Sequence, residues 1–204
     1  MQPETGHRRP QEVLMGYRGQ VLTNPVTGER FIFHATSDDT AGQLLEFDLV
    51  VEPHGRVPGG HVHPGQQESF EVLDGTVKFR KGLRTVIAKP GDLVVVEPGT
   101  YHRFANAADT TAVVRCRVEP ALRMEELFET VAALAVEGRT MRSGLPKPLD
   151  LALFMREFQH EVAAPVMPGL VQAVMAPLAS LAARRGLDER YELRHRVHRV
   201  PALV

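Results

Sequence analysis

The stretch GRVPGGHVHPGQQESFEVLDG, residues 55–75, decides how the rest of the chain is read. It sets His61 and His63 two residues apart, so on an extended strand both imidazoles project to one face. Pro64-Gly65 then makes a short turn, and Glu68 beyond it can be carried back toward the pair by the next strand. Downstream, Gly91 opens a turn into the apolar run 92–96, Pro98-Gly99 turns the chain again, and His102 and Asn106 follow. Imidazole and carboxylate donors with open positions suit Fe(II), Mn(II), Ni(II), Co(II) or Zn(II). The free positions would take water, dioxygen or a chelating substrate.

Around these clusters, runs of Val, Ile, Leu and Phe alternate with turn residues as far as Pro120, the spacing of an all-β domain. Strands are expected at 19–22, 30–36, 43–52, 67–73, 76–80, 83–89, 92–96, 102–106 and 111–119. Asp74-Gly75, between two apolar runs, predicts a hairpin. Phe47, Leu49 and Val51 alternate with Glu46, Asp48 and Val50, and Val114, Cys116 and Val118 with Val113, Arg115 and Arg117. The second pattern turns the lone cysteine inward as a small apolar residue and not as a nucleophile.

The two clusters, in their order and separation, resemble the paired motifs of the cupin superfamily over about residues 18–119. The first matches at every defined position and the second at Gly91, Gly99, His102 and Asn106. The departure is Glu97, where the family has proline; here the proline is displaced to Pro98. The resemblance implies a mainly β fold, a cupin jelly-roll β-barrel, followed by C-terminal α-helices that it does not explain. It also implies that His61, His63, Glu68 and His102 hold one divalent transition metal (iron, manganese, nickel or zinc). Glu68 is then both a ligand and the candidate catalytic base, since no second carboxylate or lysine is clearly placed for that role.

Strand alternation puts Phe70 beside Glu68, and Phe104 and Asn106 beside His102, as candidate walls of a substrate pocket. Gln66, Gln67, Glu97 and Tyr101 sit in turns near its mouth, and Gln67 is taken with Phe70, Phe104 and Asn106 as a substrate-binding candidate. Plain core packing is the competing reading for the phenylalanines, and backbone satisfaction for the asparagine. His7, His34, His54, His160, His195 and His198 have no ligand spacing.

Composition changes at Pro120. Met124, Leu127, Phe128, Val131 and Leu134 recur at helical spacing with Gly138 as a stop. Leu151, Phe154, Phe158 and Val162 repeat the pattern, and a third segment runs from about Pro168 to Arg185. The layout expected is an N-terminal arm at 1–17, the barrel at 18–120 and a helical extension at 121–204. No charged residue lies in 162–183, a length near that of a membrane span, but Pro165, Pro168 and Pro177 interrupt it. Packing against the barrel or in a subunit interface is the expected role.

Twenty-four Lys and Arg against twenty-five Asp and Glu give a net charge of −1. That balance argues against a nucleic-acid binder. One cysteine cannot form an internal disulfide, and the polar first dozen residues are not a secretory signal, so a cytoplasmic home is expected. The expectation for function is a small-molecule metalloenzyme of dioxygenase-like type, acting as a homodimer. A metal-dependent isomerase or polyketide-type cyclase, or a non-catalytic binding and sensor barrel, are the alternatives.

Overall fold

The computed structural model describes residues 16–189. The predicted arm lies almost wholly outside that range, as do His7, His195 and His198. Nine strands come first: β1 (Val21–Asn24), β2 (Glu29–Ala35), β3 (Leu45–Val51), β4 (Gln67–Asp74), β5 (Val77–Lys81), β6 (Arg84–Ala88), β7 (Leu93–Val96), β8 (His102–Asn106) and β9 (Ala112–Glu119). Three helices follow: α1 (Met124–Val136), α2 (Pro148–Glu157) and α3 (Pro168–Arg184). Every strand expected from the sequence is present, with ends shifted by a residue or two.

The strands form a six-stranded sheet, β1-β2-β3-β9-β4-β7, and a three-stranded sheet, β6-β5-β8. All pairings are antiparallel. The sheets meet face to face through Phe70 of β4, whose ring centroid lies 5.2 Å from that of Phe79 (β5) and 5.8 Å from that of Phe104 (β8). This is a jelly-roll arrangement, in which alternate residues of both sheets fill one core.

Register stacks the inward residues in tiers. Glu68 lies opposite Val118, which lies opposite Leu45; Phe70, Cys116 and Phe47 form the next tier, and Val72, Val114 and Leu49 the third. Ala112, Val51 and Glu29 close the far end. Outward residues of the same strands pair their charges, with Arg115 Nε 2.9 Å from Asp48 and Arg117 Nε 2.6 Å from Glu46. Cys116 is buried, and burial pushes its thiol well above its ordinary pKa, so it is inert packing.

The Asp74-Gly75 hairpin is not formed. β4 pairs with β7 and β9, whereas β5 pairs with β6 and β8, so this turn carries the chain from one sheet to the other. Gly75 has a φ of +79°, and a Cβ there would stand 2.8 Å from the Ala112 backbone. The turn chemistry was legible, but it serves a corner. The tight hairpin is β5–β6, where Lys81 and Arg84 pair across Gly82-Leu83.

α1 is the helix that covers the barrel. Its Phe128 ring stacks on Phe31 at 4.6 Å and meets Phe47 edge-on at 5.1 Å. Gly138 ends the helix in the left-handed region at φ +66°, with Arg139 N–H donating back to Leu134 O. α3 rests chiefly on α2, with Ala179 and Ala182 buried and Leu170 and Val174 exposed. No helix of the described residues is long and apolar enough to cross a membrane.

Candidate metal centre

Two backbone exchanges assemble the centre at one end of the barrel. His61 and His102 face each other in an antiparallel bridge, His61 N–H donating to His102 O at 3.1 Å and His102 N–H to His61 O at 3.0 Å. The turn before His102 has Pro98 at its second position, Gly99 at φ +72° at its third, and Thr100 N–H donating to Glu97 O. That is the residue pattern of a type II turn, so the displaced proline fits the local geometry. Gly99 N–H also donates to His63 O, tying the turn to the first cluster. Glu68, one residue into β4, faces inward beside them.

The four side chains offer ligand atoms that all lie within 4.8 Å of one another. His102 Nε2 is 2.8 Å and His63 Nε2 3.3 Å from Glu68 Oε2, and His61 Nε2 is 3.1 Å from His63 Nε2. Each ring is oriented by its other nitrogen. His61 Nδ1 lies 3.0 Å from Gly59 O, His102 Nδ1 3.2 Å from Thr100 O, and His63 Nδ1 against Glu161 O. A carbonyl only accepts, so Nδ1 carries the proton in every ring and Nε2 presents a lone pair.

Three imidazole nitrogens and a carboxylate therefore converge in a buried volume, where the partners of Glu68 Oε2 are the His102 and His63 rings themselves. Such a set repels itself unless positive charge sits among it. A proton can supply part of that charge. Burial lowers the pKa of His63, but the charge of Glu68 prevails and raises it. Burial alone would raise Glu68, yet His63 and the adjacent imidazoles hold its carboxyl well below the usual range. His61 is pushed down to about 3, by burial first and then by its neighbouring histidines. A divalent cation supplies the charge more fully, and the donor set fits one.

His63, Glu68 and His102 are buried, whereas His61 is partly exposed, so His61 marks the side of the centre nearest solvent. Phe70 and Phe104 lie beneath it, with Phe70 6.2 Å from the His102 ring. Two expected substrate contacts fall elsewhere. Asn106 lies at the other end of β8, its Nδ2 donating to Val51 O, Glu52 O and Thr110 O and its Oδ1 accepting from Ala108 N–H. Every polar atom of that amide serves the backbone. Gln67 stands on the face of β4 opposite Glu68, because alternate strand residues point apart.

The turn residue Gln66 is buried, donating to Pro120 O and Ala121 O. Tyr101 lies against Gly60, where a Cβ would come within 2.3 Å of its ring. His34 pairs with Asp48 on the outer face, His54 with Asp109, and His160 is exposed, so none joins the centre. Glu161 is the contact the sequence did not reveal: it is 98 residues from His63, with no spacing rule to connect them.

The family model for the cupin domain matches residues 47–117. An oxidoreductase of Arthrobotrys oligospora is 30% identical over 83 residues, covering 40% of this chain and 31% of that protein. The chain thus spans about a third of the length of the curated relative it matches. Among solved structures, a cupin-superfamily sugar phosphate isomerase from Silicibacter pomeroyi is similar at 21% identity and a TM-score of 0.42, covering 47% of this chain and 62% of that one. Oxalate decarboxylase from Lactobacillus farciminis is similar at 16% identity and a TM-score of 0.44, covering 50% and 31%. With the family match spanning the strands from Phe47 to Arg117 and all four clustered side chains, the chain carries a domain of the cupin superfamily.

Proposed function

We propose that the protein is a metal-dependent small-molecule enzyme of oxygenase-like type, with His61, His63, Glu68 and His102 as the ligands. The observation that carries this is the convergence of three backbone-fixed Nε2 atoms and one ionised carboxylate at one end of the barrel, with His61 on its more exposed side. The likeness over 83 residues to an oxidoreductase of Arthrobotrys oligospora supports the redox direction of the reading. When bound, the metal supplies Lewis acidity and, if it is iron or manganese, a site for oxygen chemistry.

This chain's residues do the rest. The partly exposed side of His61 admits a substrate, and Phe70 and Phe104 give the floor of the pocket an apolar surface that excludes water from below. Glu68, buried and ionised, serves as a ligand; a carboxyl held well below the usual range is a weak base, which counts against the proton-acceptor role expected of it. A homodimer belongs to the same reading, because exposed Leu170 and Val174 on α3 give a second copy apolar surface to cover.

Metal analysis of the wild-type protein beside a His61→Ala, His63→Ala double variant tests the centre. About one transition metal per chain, absent from the variant, is expected. Oxygen uptake by the iron-loaded protein with enolate-forming or catechol-like compounds then tests the reaction class. A protein that saturates with such a compound and releases it unchanged would be a binding barrel instead.

A further inference from the structure

Two of the three histidines are oriented within their own loops: the carbonyls that fix His61 and His102 belong to residues two positions earlier, Gly59 and Thr100. His63 differs. Its Nδ1 is fixed by the carbonyl of Glu161, which follows α2 in the helical extension. The residue before it is held by the same segment, Val62 N–H donating to Ala163 O at 3.2 Å and Ala163 N–H to Val62 O at 2.9 Å. Three hydrogen bonds thus run between the ligand-bearing strand and residues 161–163.

That segment is itself anchored. Glu161 and Val162 N–H groups both donate to Phe158 O, and Phe158 is buried. The Glu161 carboxylate accepts from Arg123 N–H at 3.3 Å. The Arg123 guanidinium reaches Glu157 Oε1 at 2.9 Å and lies over the Phe158 ring at 5.2 Å. Chain leaving the barrel and chain returning from α2 are fastened together directly behind His63.

We infer that residues 158–163 form a clasp that completes the metal centre from outside the barrel, with Glu161 as the positioning residue for His63. The inference rests on the metal reading above and gives the helical extension a task in it. The Glu161 carbonyl holds the proton on His63 Nδ1, and the Val62–Ala163 pair sets the height at which Nε2 enters the centre. Ligand orientation by such outer contacts is worth roughly 10- to 100-fold in metal affinity.

The test is cobalt(II) titration of the full chain and of its Ala163→Pro variant, which lacks the N–H that donates to Val62 O. Asn106→Ala serves as a control that costs stability at the far end of β8 without touching the clasp. Expected is a loss of roughly 10- to 100-fold in cobalt affinity and a changed visible spectrum for Ala163→Pro, with Asn106→Ala close to wild type. Equal affinity in wild type and Ala163→Pro would overturn the clasp while leaving the metal site standing. No uptake by wild type would sink both.

Nitrogen NMR of the histidine-labelled wild-type protein provides a readout that does not depend on the folding of a variant. His63 should carry its proton on Nδ1, with slow exchange against solvent. A His63 protonated on Nε2 alone, or exchanging freely, would overturn the inference.

Discussion

Phe128 of α1 and Phe31 of β2 stack with their ring centroids 4.6 Å apart. The extension is therefore continuous with the barrel core, and the two should unfold together. Phe128→Ala is expected to cost roughly 3 kcal/mol. Urea unfolding followed by near- and far-ultraviolet circular dichroism checks this; a barrel that unfolds at the wild-type midpoint would show the helices to be independent.

Glu29 makes stability fall as pH rises. Burial inside the barrel raises its pKa from 4.5 to about 7, so between those values the folded state binds more protons than the unfolded chain. Its contribution is fully present below the ordinary carboxylate pKa and is lost through neutrality, by about 3 kcal/mol. Glu29→Gln removes the charge with little change of shape. The variant should equal or exceed wild type in melting temperature at pH 8, and its advantage should shrink at pH 5.

Metal binding should release a proton. His63 has its pKa raised beside Glu68, whereas His61 at about 3 has none to give near neutrality. Below the His63 pKa, apparent zinc affinity should weaken about tenfold per pH unit. Calorimetric titration in two buffers of different ionisation enthalpy should then return about one proton displaced per ion in that range.

Gly60→Ala should disturb the centre through Tyr101. A Cβ at Gly60 meets that ring at 2.3 Å, so either the ring swings away or the residues leading to His61 shift. Reduced metal affinity with a near-wild-type melting temperature is expected; a variant that binds metal normally would place Tyr101 outside the mechanics of the site.

Asn106→Ala should do the opposite. It strips the amide from three backbone carbonyls at the far end of β8, a loss of roughly 2 kcal/mol in stability. Metal affinity should be unchanged, which a cobalt titration at low temperature would show.

The strands and the cluster were legible because both obey short-range rules. Period-two alternation exposes β3 and β9, and the His61–His63 spacing puts two ligands on one face. Asn106 misled because shared alternation was read as shared location: it faces inward like His102 but lies four residues along β8. Asp74-Gly75 misled because the same turn residues serve a hairpin and a corner between sheets. Glu29 was overlooked as a buried carboxylate because one acidic residue beside a run of aromatics reads as a strand end. Glu161 was beyond reach, since its contact with His63 exists only once α1 and α2 have packed.

The tiers of the barrel have a consequence for traffic. Glu68 lies six residues along the register from Glu29, about 20 Å at strand rise, with two apolar tiers between them. Phe70, Phe79 and Phe104, mutually in contact at 5.2 to 5.9 Å, fill the space directly under the ligands. The barrel is consequently plugged beneath the ligands and cannot serve as a tunnel between its two ends. On the functional reading proposed above, substrate and product would share the one approach past His61, so a bulky product would hold up the next arrival.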